Sequence, residues 1–317
     1  MNNFTVNSTA EDALQKRVSR AHLRQRLGIE DDREARVFGQ GLNFFHIENW
    51  YSAHTLVRTI LKLCLLYNRA KRNALAIEVR YNEMRIEGLP AAFDGFTMLH
   101  ISDLHLDMNA QIPHALIERI RTVDYDISVL TGDFRAKTYG PYQAALDAME
   151  SVRAHLKDPV YGILGNHDSI RMVPQLEAMG IHMLLNESQA LERDGEIIYL
   201  SGIDDPHYYR ADNLEKASES IPSDAIAILL SHSPEIYKHA GHAGFSAMLC
   251  GHTHGGQICL PGGYPIITNA RCPRRLCAGA WTYHGMHGYT SVGSGPSMVD
   301  VRLNCPPEIT LHRLRTA

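Results

Sequence analysis

From Leu75 onward, short apolar runs alternate with polar, glycine-bearing tips. Run 96–101 ends at Ser102-Asp103, run 127–130 at Thr131-Gly132-Asp133, and run 160–164 at Gly165-Asn166-His167-Asp168. Run 226–230 ends at Ser231-His232, and run 247–250 at Gly251-His252-Thr253-His254. Short apolar runs bounded by turn residues predict buried strands. Between them, apolar positions at helical spacing predict helices over 113–122, 142–156 and 173–179. Strand, polar tip and helix in repetition predict an α/β layered domain with its site at the strands' carboxyl ends. Just upstream, 76–80 and 84–86 alternate like two strands around Asn82-Glu83, which predicts a hairpin.

The first 74 residues follow a different period. Ser8 and Thr9 before Glu11 and Asp12 read as a capping box, with Gly28 as the helix stop and a polar stretch over 30–40. A second helix is predicted from about Asn49 to Asn68. It sets Trp50, Ala53, Val57, Ile60, Leu61 and Cys64 on one face, and Thr55, Arg58, Thr59 and Lys62 on the other. Residues 1–74 hold 12 Lys and Arg against 7 Asp and Glu, a net of +5. Within a whole-chain charge of −4, the remainder carries −9. The chain thus divides into a basic helical extension, 1–74, and an acidic body, 75–317.

That acidic body argues against a nucleic-acid partner held by bulk charge. Residues 1–10 lack the basic and apolar regions of a signal peptide, and the apolar stretch 50–67 is interrupted by Arg58 and Lys62. The expected location is the cytoplasm, peripheral on the inner membrane where the basic, amphipathic segment 10–72 meets an anionic surface. The competing use of the same apolar face is packing against the body. Six cysteines without a CxxC spacing give neither a disulfide scaffold nor a zinc knuckle.

Chemistry collects at the strand tips. Asp103 and His105 are two apart, as are His252 and His254, so each pair leaves an extended exit on one side. Taken singly, each tip reads as an ordinary turn or cap. Their conjunction has one physical reason, a metal site. Asp103, His105, Asp133, Asn166, His232, His252 and His254 offer oxygen and imidazole donors and no thiolate. The set exceeds one tetrahedral ion and suits two ions about 3.5–4 Å apart that share a carboxylate.

In order, Ser-Asp-Leu-His (102–105), Gly-Asp (132–133), Gly-Asn-His-Asp (165–168), Ser-His-Ser-Pro (231–234) and Gly-His-Thr-His-Gly-Gly-Gln (251–257) resemble the motif set of the calcineurin-like metallophosphoesterases. Leu260-Pro261-Gly262, Gly202-Ile203-Asp204-Asp205-Pro206 and the stretch 304–309 are similar to a bacterial branch of small membrane-associated phosphoesterases. The resemblance spans residue 75 to the C-terminus. It implies a four-layered α/β/β/α sandwich with two divalent ions (Mn, Fe or Zn) between the sheets, behind the helical N-terminal extension. It also implies Asp103, His105, Asp133 and His254 at one ion, and Asp133, Asn166, His232 and His252 at the other. Asp133 bridges the two together with a water or hydroxide that attacks a phosphate ester. His167 is implied as general acid or charge stabiliser at the leaving-group oxygen, oriented by Asp168.

The implied reaction is hydrolysis of a phosphodiester, phosphomonoester or pyrophosphate. Some relatives in this branch split the pyrophosphate of UDP-2,3-diacylglucosamine, a lipid-linked substrate. The alternatives are a soluble phosphodiesterase or phosphatase on nucleotides or phosphoproteins, and a catalytically silent scaffold. Many relatives carry an acid shortly after Gly-Asp, where this chain has Phe-Arg-Ala-Lys (134–137). Arg135 and Lys137 either grip substrate phosphate or sit in a solvated loop. His207, Tyr208, Tyr209, His284 and His287 read as ordinary loop residues, and Cys250 as a small buried hydrophobe. Cys272 and Cys277 bracket a basic Pro-Arg-Arg-Leu that is a rim or nothing.

Overall fold

In the computed structural model the described residues are 14–38 and 51–317. The capping box at 8–12, Trp50 and the side chain of Ala53 lie outside them. Two six-stranded sheets stack face to face because their strands carry apolar side chains on both faces. The first sheet runs β1 (Glu78–Ile86), β14 (Glu308–Thr316), β2 (Thr97–Ile101), β3 (Ile127–Leu130), β4 (Val160–Gly162), β5 (Ile181–Met183). The second runs β12 (Gly279–Tyr283), β13 (Met286–Thr290), β9 (Ala247–Cys250), β8 (Ala227–Leu230), β7 (Glu196–Gly202), β6 (Glu187–Arg193). A short hairpin, β10 (Cys259–Leu260) and β11 (Tyr264–Pro265), stands apart.

Three apolar layers follow from that alternation. Met98, Val129 and Ile163 meet Ile198, Ile228 and Leu249 between the sheets. Leu99 and Leu130, on the opposite face, join Leu116, Leu146 and Met149 from the helices Ile112–Ile120 and Gln143–Arg153. Leu229 and Met248 pack against Tyr237 and Ala240 of the helix Tyr237–His242. Each large side chain withdrawn from water contributes about 1.5–3 kcal/mol. The result is the four-layered α/β/β/α sandwich.

Three elements differ from the sequence reading. The hairpin at 76–86 is one continuous strand, β1, paired in parallel with β14 from Glu78↔Glu308 to Ile86↔Thr316. Asn82 makes no turn there; its side-chain amide meets His312 Nδ1 at 3.0 Å. Helix α1 (Arg20–Phe38) runs through Gly28, which is exposed and crowded by nothing, and takes in the polar stretch up to Phe38. The second predicted helix is two, α2 (Tyr51–Leu63) and α3 (Tyr67–Asn73), separated at Leu65, whose φ is 58°.

Among the described residues, the extension packs on the body at Ile29, which meets Tyr208 and Tyr209, and in two larger patches. Leu14, Val18 and Leu23 join the outer layer of the first sheet. Leu61 packs with Val299, Val301 and Leu303. Of the two uses expected for the apolar face, packing against the body is seen at Leu61, which is buried, while Ile60 and Leu63 are exposed. Among the described residues, no helix is long and apolar enough to cross a membrane.

Candidate metal centre

The sharp chain reversal at each strand end aims the ligands. Asp103 (φ 49°), His105 (43°), Asp133 (57°), His252 (71°) and His254 (49°) all take left-handed backbone conformations. Such residues cost about 1–3 kcal/mol each and concentrate at functional sites; Asp and His tolerate them better than most. Two glycines allow the loops to interlock. A Cβ on Gly165 would strike the Asp133 carboxylate, and one on Gly251 would strike Ser102 Oγ and the Asp103 carboxylate.

Asp133 is central. Its Oδ2 lies 3.3 Å from His232 Nε2, 3.7 Å from His105 Nε2 and 3.9 Å from His167 Nε2. On one side, His254 Nε2 is 3.3 Å from Asp103 Oδ1 and 3.2 Å from His105 Nε2. On the other, Asn166 Oδ1 is 2.9 Å from His232 Nε2 and 2.8 Å from His252 Nδ1. All seven predicted ligands come together, and all are buried.

The donor chemistry fits divalent cations. His105 Nδ1, His232 Nδ1 and His252 Nε2 each face a backbone carbonyl (Arg135, Thr131 and Asn269) at 2.7 Å. A carbonyl only accepts, so in the neutral ring that nitrogen carries the proton and the other offers its lone pair to the cluster. Three imidazole lone pairs, two carboxylates and the Asn166 oxygen then converge on the same space. Asn166 Nδ2 is buried without a partner. Burial lowers the pKa of His232, yet Asp133 and Asp103 outweigh it and raise it well above its ordinary value. The pocket calls for positive charge.

Asp168 acts on the backbone. Its carboxylate accepts the N–H groups of Asp133, Gly165 and Phe134 at 2.7, 2.9 and 2.9 Å, tying two ligand loops together. Burial, and then the Asp133 charge, push its pKa up to about 6. The His167 ring is held by the Ala136 carbonyl, 2.8 Å from Nδ1. Asp168 thus holds the backbone of the loop, and the Ala136 carbonyl holds the His167 ring. Arg135 is buried, with Nε donating to the His167 carbonyl and Nη1 to the Gly140 carbonyl. That excludes the solvated loop for Arg135 and leaves only Lys137 exposed.

Several contributors escaped the sequence reading. The His207 ring, taken for a loop residue, lies 4.2 Å from the His252 ring, with Nδ1 3.0 Å from Glu235. Buried Arg302 donates from Nη2 to the Val292 and Gly295 carbonyls, both at 2.6 Å. The Gly295 N–H then donates to the Asp103 carbonyl at 2.8 Å. Arg26 is fully buried beside the His167 loop. One arginine among several, with Arg17, Arg20 and Arg24 on the same segment, carries no sequence signal of such a place. Cys250 is buried as expected, which pushes its thiol up to about 12.

An α/β/β/α sandwich with buried imidazole and carboxylate clusters at its strand ends has the architecture of a metal-dependent phosphoester hydrolase. Residues 96–256 match the calcineurin-like phosphoesterase family, and the chain belongs to that family. It is 30% identical over 260 residues to the uncharacterized metallophosphoesterase YkoQ of Bacillus subtilis, spanning 77% of this chain and 93% of YkoQ. Phosphodiesterase YaeI of Escherichia coli is 26% identical over 233 residues, 69% of this chain and 82% of YaeI. Among solved structures, the Bacillus subtilis calcineurin-like phosphoesterase YfkN superposes with a TM-score of 0.42 at 14% identity, covering 64% of this chain and 82% of YfkN.

Proposed function

We propose that this hydrolase cleaves a phosphodiester or pyrophosphate carried by a lipid, of the kind found in UDP-2,3-diacylglucosamine, at an anionic membrane surface. The observation behind this reading is the cleft over the metal centre, about 470 Å³ in volume. Asp133, Asn166 and His167 line its polar end. Leu56 and Ile60 of α2, with Ile266 and Ile267 after β11, line an apolar wall. These four side chains are between 49% and 61% exposed, so an acyl chain laid along them would cover surface that water now wets. Arg58, Lys62, Arg69, Lys71 and Arg72 are exposed along the same segment. Each adds about 1 kcal/mol near an anionic surface.

In this reading Asp103, His105, Asp133 and His254 hold one divalent ion, while Asp133, Asn166, His232 and His252 hold the second. Two such ions, Mn, Fe or Zn, would supply charge neutralisation at the phosphoryl oxygens and the acidity that makes a water nucleophilic near neutral pH. His167 supplies the proton. With Nδ1–H donated to the Ala136 carbonyl, Nε2 is directed toward the cleft. As the imidazolium, 3.9 Å from Asp133 Oδ2, the ring gives its Nε2 proton to the departing oxygen and is left as the neutral Nδ1–H tautomer. Asp168 and Arg135 hold the loop that presents it.

The test is activity of the metal-reconstituted protein on UDP-2,3-diacylglucosamine in mixed micelles, on bis-p-nitrophenyl phosphate and on soluble nucleotide diesters. A kcat/KM for the lipid at least about tenfold above the soluble nucleotides is expected. Turnover of soluble diesters with none of the lipid overturns the lipid assignment and leaves a soluble phosphodiesterase. No turnover of any of them returns the scaffold reading.

A further inference from the structure

One turn of α1 grips the loop that carries His167. The Arg26 guanidinium is fully buried; Nε and Nη2 donate hydrogen bonds, and Nη1 makes an ion pair without a hydrogen bond. Nη2 donates to the Asp168 carbonyl at 3.0 Å, Nε donates to Asp204 Oδ2 at 3.2 Å, and Nη1 lies 3.2 Å from Glu30 Oε1. Its plane sits 3.2 Å over the centre of the Tyr209 ring. Glu30, one helical turn on, accepts the Ser169 hydroxyl at 2.6 Å and the Ile170 N–H at 2.8 Å. Residues 168, 169 and 170 are therefore each tied to α1. On the other side of the loop, the His167 N–H donates to Asp133 Oδ1 at 2.8 Å. The loop is clamped between the central carboxylate and the N-terminal helix.

We propose that Arg26 is a positioning residue for His167, supplied by the N-terminal extension rather than by the sandwich; this rests on the site being hydrolytic. A packing role alone would be served by an apolar side chain of similar volume. What the guanidinium adds is direction: its donors, fixed in one plane, set the Asp168 carbonyl against the Asp204 turn and so fix the pitch of the residue before it. Glu30 completes the clamp. Misplacement of a reacting group by about 1 Å costs about 100-fold in rate, so the clamp bears on turnover more than on binding.

The experiment compares full-length, metal-reconstituted wild type with Arg26→Lys and Glu30→Gln. The substrates are bis-p-nitrophenyl phosphate and diphenyl phosphate, whose phenolate leaves less readily. Arg26→Lys keeps the charge and loses the fork. Its metal content and melting temperature should match wild type, with KM within about twofold and kcat lower by about 10-fold to 100-fold. The fall should be greater on diphenyl phosphate, because the poorer leaving group depends more on the His167 proton. Glu30→Gln keeps the volume and one acceptor oxygen; it should show the same leaving-group pattern more weakly, and it carries the test where lysine destabilises the chain. Variants with wild-type kcat, or a fall that is equal on both esters and tracks lost metal, overturn the positioning role alone. A wild type that hydrolyses neither ester with Mn, Fe or Zn overturns the hydrolytic reading, and the positioning role falls with it.

Discussion

Serine at both Leu63 and Leu65 tests whether the extension meets a bilayer. These side chains are 78% and 90% exposed, and neither lines the cleft. Full burial of a leucine is worth about 2 kcal/mol; scaled by exposure, the pair offers about 3 kcal/mol to an apolar phase. At about 1.4 kcal/mol per tenfold, the double variant should partition about 100-fold less onto vesicles. The basic residues of α2 and α3 are untouched, so raising the salt should weaken wild type and variant alike. Co-sedimentation with anionic and with neutral vesicles, at low and high salt, reads both effects. Turnover of bis-p-nitrophenyl phosphate in solution should not change. Two results would refute the reasoning: a variant that binds as wild type does, or a wild type with equal, negligible affinity for both lipid compositions.

His167→Ala should retain its metal by elemental analysis yet lose about 10²–10⁴-fold in kcat; near-wild-type turnover of diphenyl phosphate would remove the histidine from the reaction. Asp133→Asn takes away the charge nearest to His105, His167 and His232 and should purify with fewer than two ions per chain, so a full complement would sink the bridging assignment. Burial raises the pKa of Asp204, but Arg26 and His22 outweigh it and hold the carboxyl below its ordinary value. Its stabilisation is complete above the unfolded carboxyl pKa, about 3.9, and is lost as pH falls through the lower folded value. Asp204→Asn should therefore be less stable than wild type by about 3–5 kcal/mol at neutral pH, with the gap closing on acidification below about pH 4. A pH-independent gap in denaturant unfolding would contradict the ion pair.

The strand tips were legible because their chemistry is local. Asp103-Leu104-His105 and His252-Thr253-His254 state their ligands within three residues, and the apolar run before each one states its strand. Pairing across the chain leaves no such trace. The alternation of 76–86 was seen, yet its partner lies in β14, and a break at Asn82-Glu83 is the cheaper local explanation. Gly28 failed as a stop because tertiary contacts on either side of it, from Arg26 and from Glu30, hold α1 helical at a cost of about 1 kcal/mol. Arg26 and His207 were opaque for the same reason. Each matters only because the fold brings the loops around Asp168, Asp205 and His252 together.

The place of β14 governs the order of assembly. It lies inside the first sheet, parallel to β1 and antiparallel to β2, and the Asn82–His312 contact spans 230 residues. On the ribosome, β2 to β5 can align while 308–316 is still inside the exit tunnel, but β1 cannot dock. The seat of α2, on Val299, Val301 and Leu303, also comes late in the chain. Until residues 299–303 are made, α2 stands without them, whereas α1 already has its contacts at 168–204. A chain stalled before residue 299 would present α2 without the residues that seat it, and β1 without its partner strand.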